Sequence, residues 1–150
     1  KVKGVIPGGM SMPILPASEL DVPMANEFLR EKKTMLGTGG IMVMDETTCM
    51  VRVGVVISGF FREESCGQCT QCREGTGWMN KIVNRIERGA GLREDLDLLL
   101  DVAGKMEGQT ICAFADAAAW PVQGLLRHFK SDFEEHIRQR KCPFPESFEL

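Results

Sequence analysis

Three cysteines at two-residue gaps, Cys66, Cys69 and Cys72, constrain this chain more than any other feature. They lie in the run Glu64-Ser65-Cys66-Gly67-Gln68-Cys69-Thr70-Gln71-Cys72-Arg73-Glu74-Gly75, between two segments of helical periodicity. A loop this tight brings three thiolates to three irons of a [4Fe–4S] cluster and leaves the fourth iron to a ligand from elsewhere. Thiolates select Fe–S, Zn or Cu(I) over hard ions. Zinc more commonly takes paired CxxC knuckles, or CxxC with a His pair, than CxxCxxC. Enzymes that cleave S-adenosylmethionine use a longer first gap. Gly67 allows close backbone approach, and the following helix N-terminus and loop amides favour the added negative charge of a reduced cluster.

Three cysteines compete for the fourth iron. Cys49 sits on an apolar helical stripe and reads as a small buried hydrophobe. Cys142 precedes a proline, as in the bacterial ferredoxin run, but lies in a basic, Pro-rich end. Cys112 lies in Gly108-Gln109-Thr110-Ile111-Cys112-Ala113, a loop that an up-and-down bundle returns to the start of the second helix. That placement favours Cys112.

Composition narrows the classes. The chain has 150 residues, 43% apolar and 26% charged, enough for one domain or two small ones with a real core. Its 18 basic and 21 acidic residues give a net charge of −3, against a nucleic-acid binder. The longest clean apolar stretch, Val53 to Ile57, is far short of a membrane span, so direct insertion is not expected. The start, Lys-Val-Lys-Gly, has no secretory pattern, so six cysteines read as ligands or a redox site rather than a disulfide framework. Two His and no Tyr leave little acid–base equipment. The start at Lys1 suggests a fragment.

Residues 1–40 hold four of the seven prolines and six glycines, predicting short strands and loops. One short helix is expected over about 22–33, with Ala25, Phe28 and Leu29 on one face. Residues 41–44 read as a buried strand after the Gly37-Thr38-Gly39-Gly40 turn. Four amphipathic stripes follow: Cys49, Val53, Val56, Ile57 and Phe60, where a strand is the alternative; Met79, Ile82, Val83 and Ile86, stopped by Gly89 and Gly91; Leu96, Leu99, Leu100 and Ala103, stopped by Gly104; and Val122 through Ile137, with Asp116 as N-cap. The expected class is therefore mainly α, a four-helix bundle preceded by a small β-containing part. The scattered methionines read as core filling. Trp78 and Trp120 are expected to shield the cluster end from water. His128 and His136, beside Arg127, Lys130 and Arg138, are expected on a solvated or partner-facing surface. Arg73 either offsets cluster charge or is a surface arginine.

The run 64–75, with Thr-Ile-Cys-Ala-Phe-Ala-Asp-Ala-Ala-Ala-Trp-Pro-Val over 110–122, closely resembles the family of flavin- and NADH-binding subunits of bacterial NADH:quinone oxidoreductases, respiratory complex I. Residues 2–9 and 35–40 are also similar to that family. The resemblance implies that Cys66, Cys69, Cys72 and Cys112 ligate a [4Fe–4S] cluster, which takes electrons from FMN and passes them down the Fe–S chain toward quinone. It implies the C-terminal part of a β-grasp domain at 1–45 and a helical cluster-binding domain at 46–141; residues 142–150, with Pro143 and Pro145, read as a tail. FMN and NAD are implied for the complete subunit at a glycine-rich site upstream, so residues 1–150 alone are not expected to be catalytic. Implied partners are other hydrophilic-arm subunits, Fe–S subunits among them, at the inner face of the cell membrane through the complex. Gln71 departs from the family, which commonly has Pro there; no ligand is removed. Two alternatives stand: a diaphorase subunit of an NAD-reducing hydrogenase or NAD-dependent formate dehydrogenase, and, from another class, a zinc-stapled interaction module.

Overall fold

The alternation of apolar residues with Gly and Pro in the first 45 residues yields only short extended pieces. In the computed structural model, which describes residues 1–149, they form a three-stranded antiparallel sheet of β1 (Val2–Ile6), β2 (Leu15–Pro16) and β3 (Met42–Asp45), in the order β2-β1-β3. Pairing places Val5 opposite Leu15 on one side and Val43 on the other. The expected buried strand at 41–44 is instead an edge strand shifted by one residue. Only Met44 of it is buried, while Val43 is 63% exposed, because a single face of this small sheet meets the core. The expected helix at 22–33 contracts to α1 (Asn26–Glu31), with Leu29 buried and Phe28 exposed. Pro23 removes a donor just before it.

The four expected helices form as α2 (Met50–Glu64), α3 (Thr70–Glu87), α4 (Glu94–Met106) and α5 (Phe114–Gln139). The mainly α class therefore stands. The α3 stripe is buried throughout. The α2 face is rotated from expectation: Met50, Val51, Gly54, Ile57, Ser58 and Phe61 are buried, while Val56 and Phe60 are exposed. Gly54 explains the rotation. A Cβ there would lie 3.3 Å from both Leu125 and Val83, so the helix makes its closest approach at a residue that an apolar count overlooks.

Gly104 does not stop α4, which runs on to Met106, and Leu100 faces outward. Asp116 is not the N-cap of α5. It lies in the first turn and accepts the Gly108 N–H at 2.6 Å, closing the preceding loop. Helix α5 is kinked at Phe129 (φ −128°, ψ 27°). Gly4 of β1 packs there, since a Cβ on it would lie 3.0 Å from the Phe129 ring.

Sheet and bundle share one apolar core, with Ile6, Met12 and Ile14 continuous with Leu125, Phe129 and Phe133. The Lys3 ammonium pairs with Asp132 of α5 at 2.6 Å and donates to the Thr48 carbonyl at 2.8 Å. Residues 142–149, expected as a tail, pack back on the bundle. Ser147 is buried, and its hydroxyl accepts the Cys49 N–H at 2.9 Å. Arg52 donates to the Ser147 and Phe148 carbonyls. No helix among the described residues is long and apolar enough to cross a membrane.

Candidate iron–sulfur site

The site is built at the end of the bundle where α2 stops and α3 starts. Ser65 leaves the helical region as the C-cap of α2, and Gly67 takes φ +78°, a left-handed conformation that L side chains rarely adopt. This reversal sends the chain directly into α3, with Cys69 as its N-cap and Cys72 in its first turn. The Cys69 side chain makes no capping bond, which leaves its sulfur free for another partner. Arg73 reaches back across the loop, its guanidinium donating to the Gly67 carbonyl at 2.8 Å and pairing with Glu74. Arg73 thus holds the loop's shape.

The second wall comes from the α4–α5 connection. The Gln109 N–H bonds to the Met106 carbonyl, and the Thr110 hydroxyl donates to the Cys112 carbonyl at 2.8 Å. The loop therefore folds on itself and presents Cys112 toward the α3 N-terminus. Cys66, Cys69, Cys72 and Cys112 line one cavity of about 200 Å³, together with Ser65, Thr110 and Phe114. All four are free thiols; Cys72 is buried, Cys69 half-buried, and Cys66 and Cys112 exposed. The Ser65 hydroxyl lies 3.4 Å from the Cys72 sulfur, a neutral hydrogen-bonding partner for it. Since a water occupies roughly 30 Å³, the space suits a multi-atom group rather than one ion. Four soft donors around such a space, against the positive end of a helix, fit an anionic iron–sulfur cluster.

Other expected residues lie elsewhere. Cys49 and Cys142 are not at this cavity: Cys49 caps the opposite end of α2. The two tryptophans do not shield the site. Trp78 is 53% exposed along a neighbouring groove between α3 and α4, and Trp120 donates its indole N–H to Glu107 at 2.8 Å. The aromatic cover is Phe114, which packs edge-on against Phe61 at 5.3 Å. Phe61 falls one position beyond the stripe read on α2, and Phe114 directly follows the Cys112-Ala113 pair. His136, expected at the surface, is fully buried, whereas His128 is half-buried. The spacing of Phe129, Phe133 and His136 carries that signal, since it keeps one helical face.

A helical module with four cysteines lining one cavity fits the class of helical iron–sulfur proteins. The chain belongs to the family described as the NADH-ubiquinone oxidoreductase-F iron-sulfur binding region, which matches residues 54–136. A [4Fe–4S] cluster is the cofactor of that family's region. The NADH-quinone oxidoreductase F subunit of Rickettsia felis is 50% identical over 137 residues, covering 91% of this chain and 32% of the relative. The NADH-quinone oxidoreductase F 2 subunit of Rhizobium meliloti is 46% identical over 144 residues, covering 96% and 34%. The chain thus spans about a third of the length of the curated relatives it matches. Among solved structures, an NAD+-reducing [NiFe]-hydrogenase in the H2-reduced state superposes with a TM-score of 0.82 at 32% identity, covering 91% of this chain and 23% of that one. The air-oxidised state gives 0.81 at 28% identity, covering 100% and 29%.

Proposed function

We propose that this chain is the cluster-bearing electron-transfer part of an NADH:quinone oxidoreductase, with Cys66, Cys69, Cys72 and Cys112 as the ligands of one [4Fe–4S] cluster. The observation that carries the reading is that these four cysteines, from two separate loops, line one cavity. When bound, the cluster supplies one-electron transfer between FMN, reduced by NADH in an upstream part of the subunit, and the Fe–S chain leading to quinone.

The chain's own residues bind, orient and insulate. Cys69 and Cys72 sit at the α3 N-terminus, where the helix dipole favours negative charge by about 0.3–1 kcal/mol for an exposed group and more when partly buried. Gly67 and Arg73 fix the loop, Ser65 offers its hydroxyl to the Cys72 sulfur, and Phe114 with Phe61 covers the inner side. Low water access and hydrogen bonds to sulfur are the levers by which a protein sets a cluster's potential.

In this reading residues 1–45 are the end of a β-grasp domain, 46–141 the cluster domain and 142–149 the segment that packs back on it. The partners are other hydrophilic-arm subunits, with the assembly at the inner face of the cell membrane. The hydrogenase likeness favours one second reading, the diaphorase subunit of an NAD-reducing hydrogenase, which uses the same site. The test is low-temperature EPR of the full-length subunit, prepared anaerobically and reduced with NADH. A reduced-cluster signal with about four irons in this region supports the proposal; zinc in place of iron, with EPR silence, contradicts it. Whether quinone reduction or hydrogen-dependent NAD reduction accompanies the purified complex separates the two redox readings.

A further inference from the structure

At the end of α2 opposite the cluster loop, four side chains converge that the electron path does not use. Cys49, Glu87, His136 and Cys142 each place one ligating atom within 4.8 Å of the others. Cys49 is the N-cap of α2, Glu87 the last residue of α3, His136 belongs to the last turns of α5, and Cys142 follows that helix. We infer that these four residues bind a single zinc ion, a second metal site that staples three helices to the C-terminal segment.

The separations fit a tetrahedral ion. Around zinc, with bonds of about 2.0–2.3 Å, neighbouring ligand atoms lie about 3.3–3.8 Å apart. Here Cys49 Sγ is 3.3 Å from His136 Nε2 and 3.7 Å from Glu87 Oε2, and the latter two are 3.0 Å apart. The surrounding bonds orient three of the four ligands. His136 Nδ1 is 2.6 Å from the Asp132 carbonyl, which only accepts, so Nδ1 carries a hydrogen and Nε2 faces the centre. Glu87 divides its carboxylate, giving Oε1 to Arg52 Nε at 2.7 Å and leaving Oε2 toward His136 and Cys49. The Arg52 amide N–H points at the Cys49 sulfur at 3.4 Å.

Charge and softness select the ion. Two thiolates and a carboxylate carry three negative charges, which a divalent cation and the Arg52 guanidinium balance. Two sulfurs, an imidazole nitrogen and a carboxylate oxygen suit zinc better than calcium or magnesium. Four protein ligands close the coordination sphere, which marks a structural rather than a catalytic ion. The site is distinct from the cluster cavity, because the 15 residues of α2 separate them by about 22 Å at 1.5 Å per residue. The segment bearing Cys142 is already oriented: Phe144 stacks on the His136 ring, and Ser147 accepts the Cys49 N–H.

The test is zinc and iron content of the full-length subunit, prepared anaerobically without chelator, with zinc K-edge absorption. About one zinc per chain is expected, bound by sulfur together with nitrogen or oxygen. His136→Gln and Cys142→Ser should each lower zinc by about tenfold or more while iron is retained. Cys142 is only half-buried, so its serine variant preserves the core. Iron-replete wild-type subunit without zinc overturns the proposal. So does zinc coordinated by four sulfurs, which places it at the cluster cysteines, or zinc unchanged in both variants. A Cys49–Cys142 disulfide in zinc-free protein overturns it as well. Only the four-sulfur result bears on the iron–sulfur assignment as well; the others leave it untouched, since it rests on iron and EPR.

Discussion

Gly89 and Arg140 stand back to back where α3 and α5 end. Both take left-handed backbone angles, φ +75° and +53°, and a Cβ on Gly89 would collide with the Arg140 carbonyl. The Gly89 and Ala90 N–H groups return to the Ile86 and Arg85 carbonyls, so one glycine closes α3 and lets α5 terminate beside it. Glu87 and His136 are positioned by this junction. Gly89→Ala combines left-handed strain of about 1 kcal/mol with overpacking of about 1–3 kcal/mol. Urea unfolding should show a loss of about 2 kcal/mol or more; a neutral variant would mean the two helix ends can separate freely.

A second glycine governs the cluster end. Gly75 of α3 faces the buried Met106 of α4, whose Cγ would lie 2.7 Å from an added Cβ. Gly75→Ala should therefore destabilise by about 1–2 kcal/mol despite the better helix propensity of alanine. In a Met106→Ala background the same change should become neutral or stabilising. A double-mutant cycle reads this coupling, and additive effects would rule the contact out.

The sheet is tied to the bundle by a nearly buried ion pair, Lys3 with Asp132, whose side chains are 16% and 11% exposed. Lys3→Met leaves Asp132 without its partner and should cost about 3 kcal/mol. Adding Asp132→Asn removes the stranded charge, so thermal unfolding of the double variant should recover part of that loss. Equal destabilisation in both would show that the cation–π contact of the Lys3 ammonium with the Phe144 ring, 4.0 Å away, matters more than its pairing with Asp132.

Glu107 supplies a pH dependence. Hydrogen bonds from Gln123 and Trp120 hold its carboxyl below the ordinary value near 4.5. A depressed folded-state value means the stabilisation is full above the unfolded value and lost as pH falls through the folded one. Glu107 is exposed, so the effect is less than about 1 kcal/mol. Unfolding followed from about pH 6 to about pH 3 should fall more steeply for the wild type than for Glu107→Gln. Parallel curves would show that these bonds contribute nothing.

The parts of this protein that are legible in its sequence are those set by local spacing. The Cys66–Cys72 loop and the α3 stripe follow from a gap and a period, and the placement of Cys112 from the up-and-down order that short connections impose on the helices. What escapes depends on partners distant in sequence. The α2 face turns on Gly54, which carries no apolar side chain to count. The edge position of β3 depends on which strand β1 takes as its second neighbour. His136 looks solvated because Arg127, Lys130 and Arg138 surround it in sequence, although its register with Phe129 and Phe133 points inward. The docking of residues 142–149 has no local signal, since it rests on Arg52 and Cys49 reaching across the bundle to Ser147.

The central claim is that Cys112, and not Cys142, completes the cluster begun by Cys66, Cys69 and Cys72. Iron content and low-temperature EPR of Cys112→Ala and Cys142→Ala in the full-length subunit test it most directly. The account predicts a full four-iron cluster in Cys142→Ala and at best a labile three-iron species in Cys112→Ala. A complete cluster in Cys112→Ala together with its loss in Cys142→Ala would contradict it.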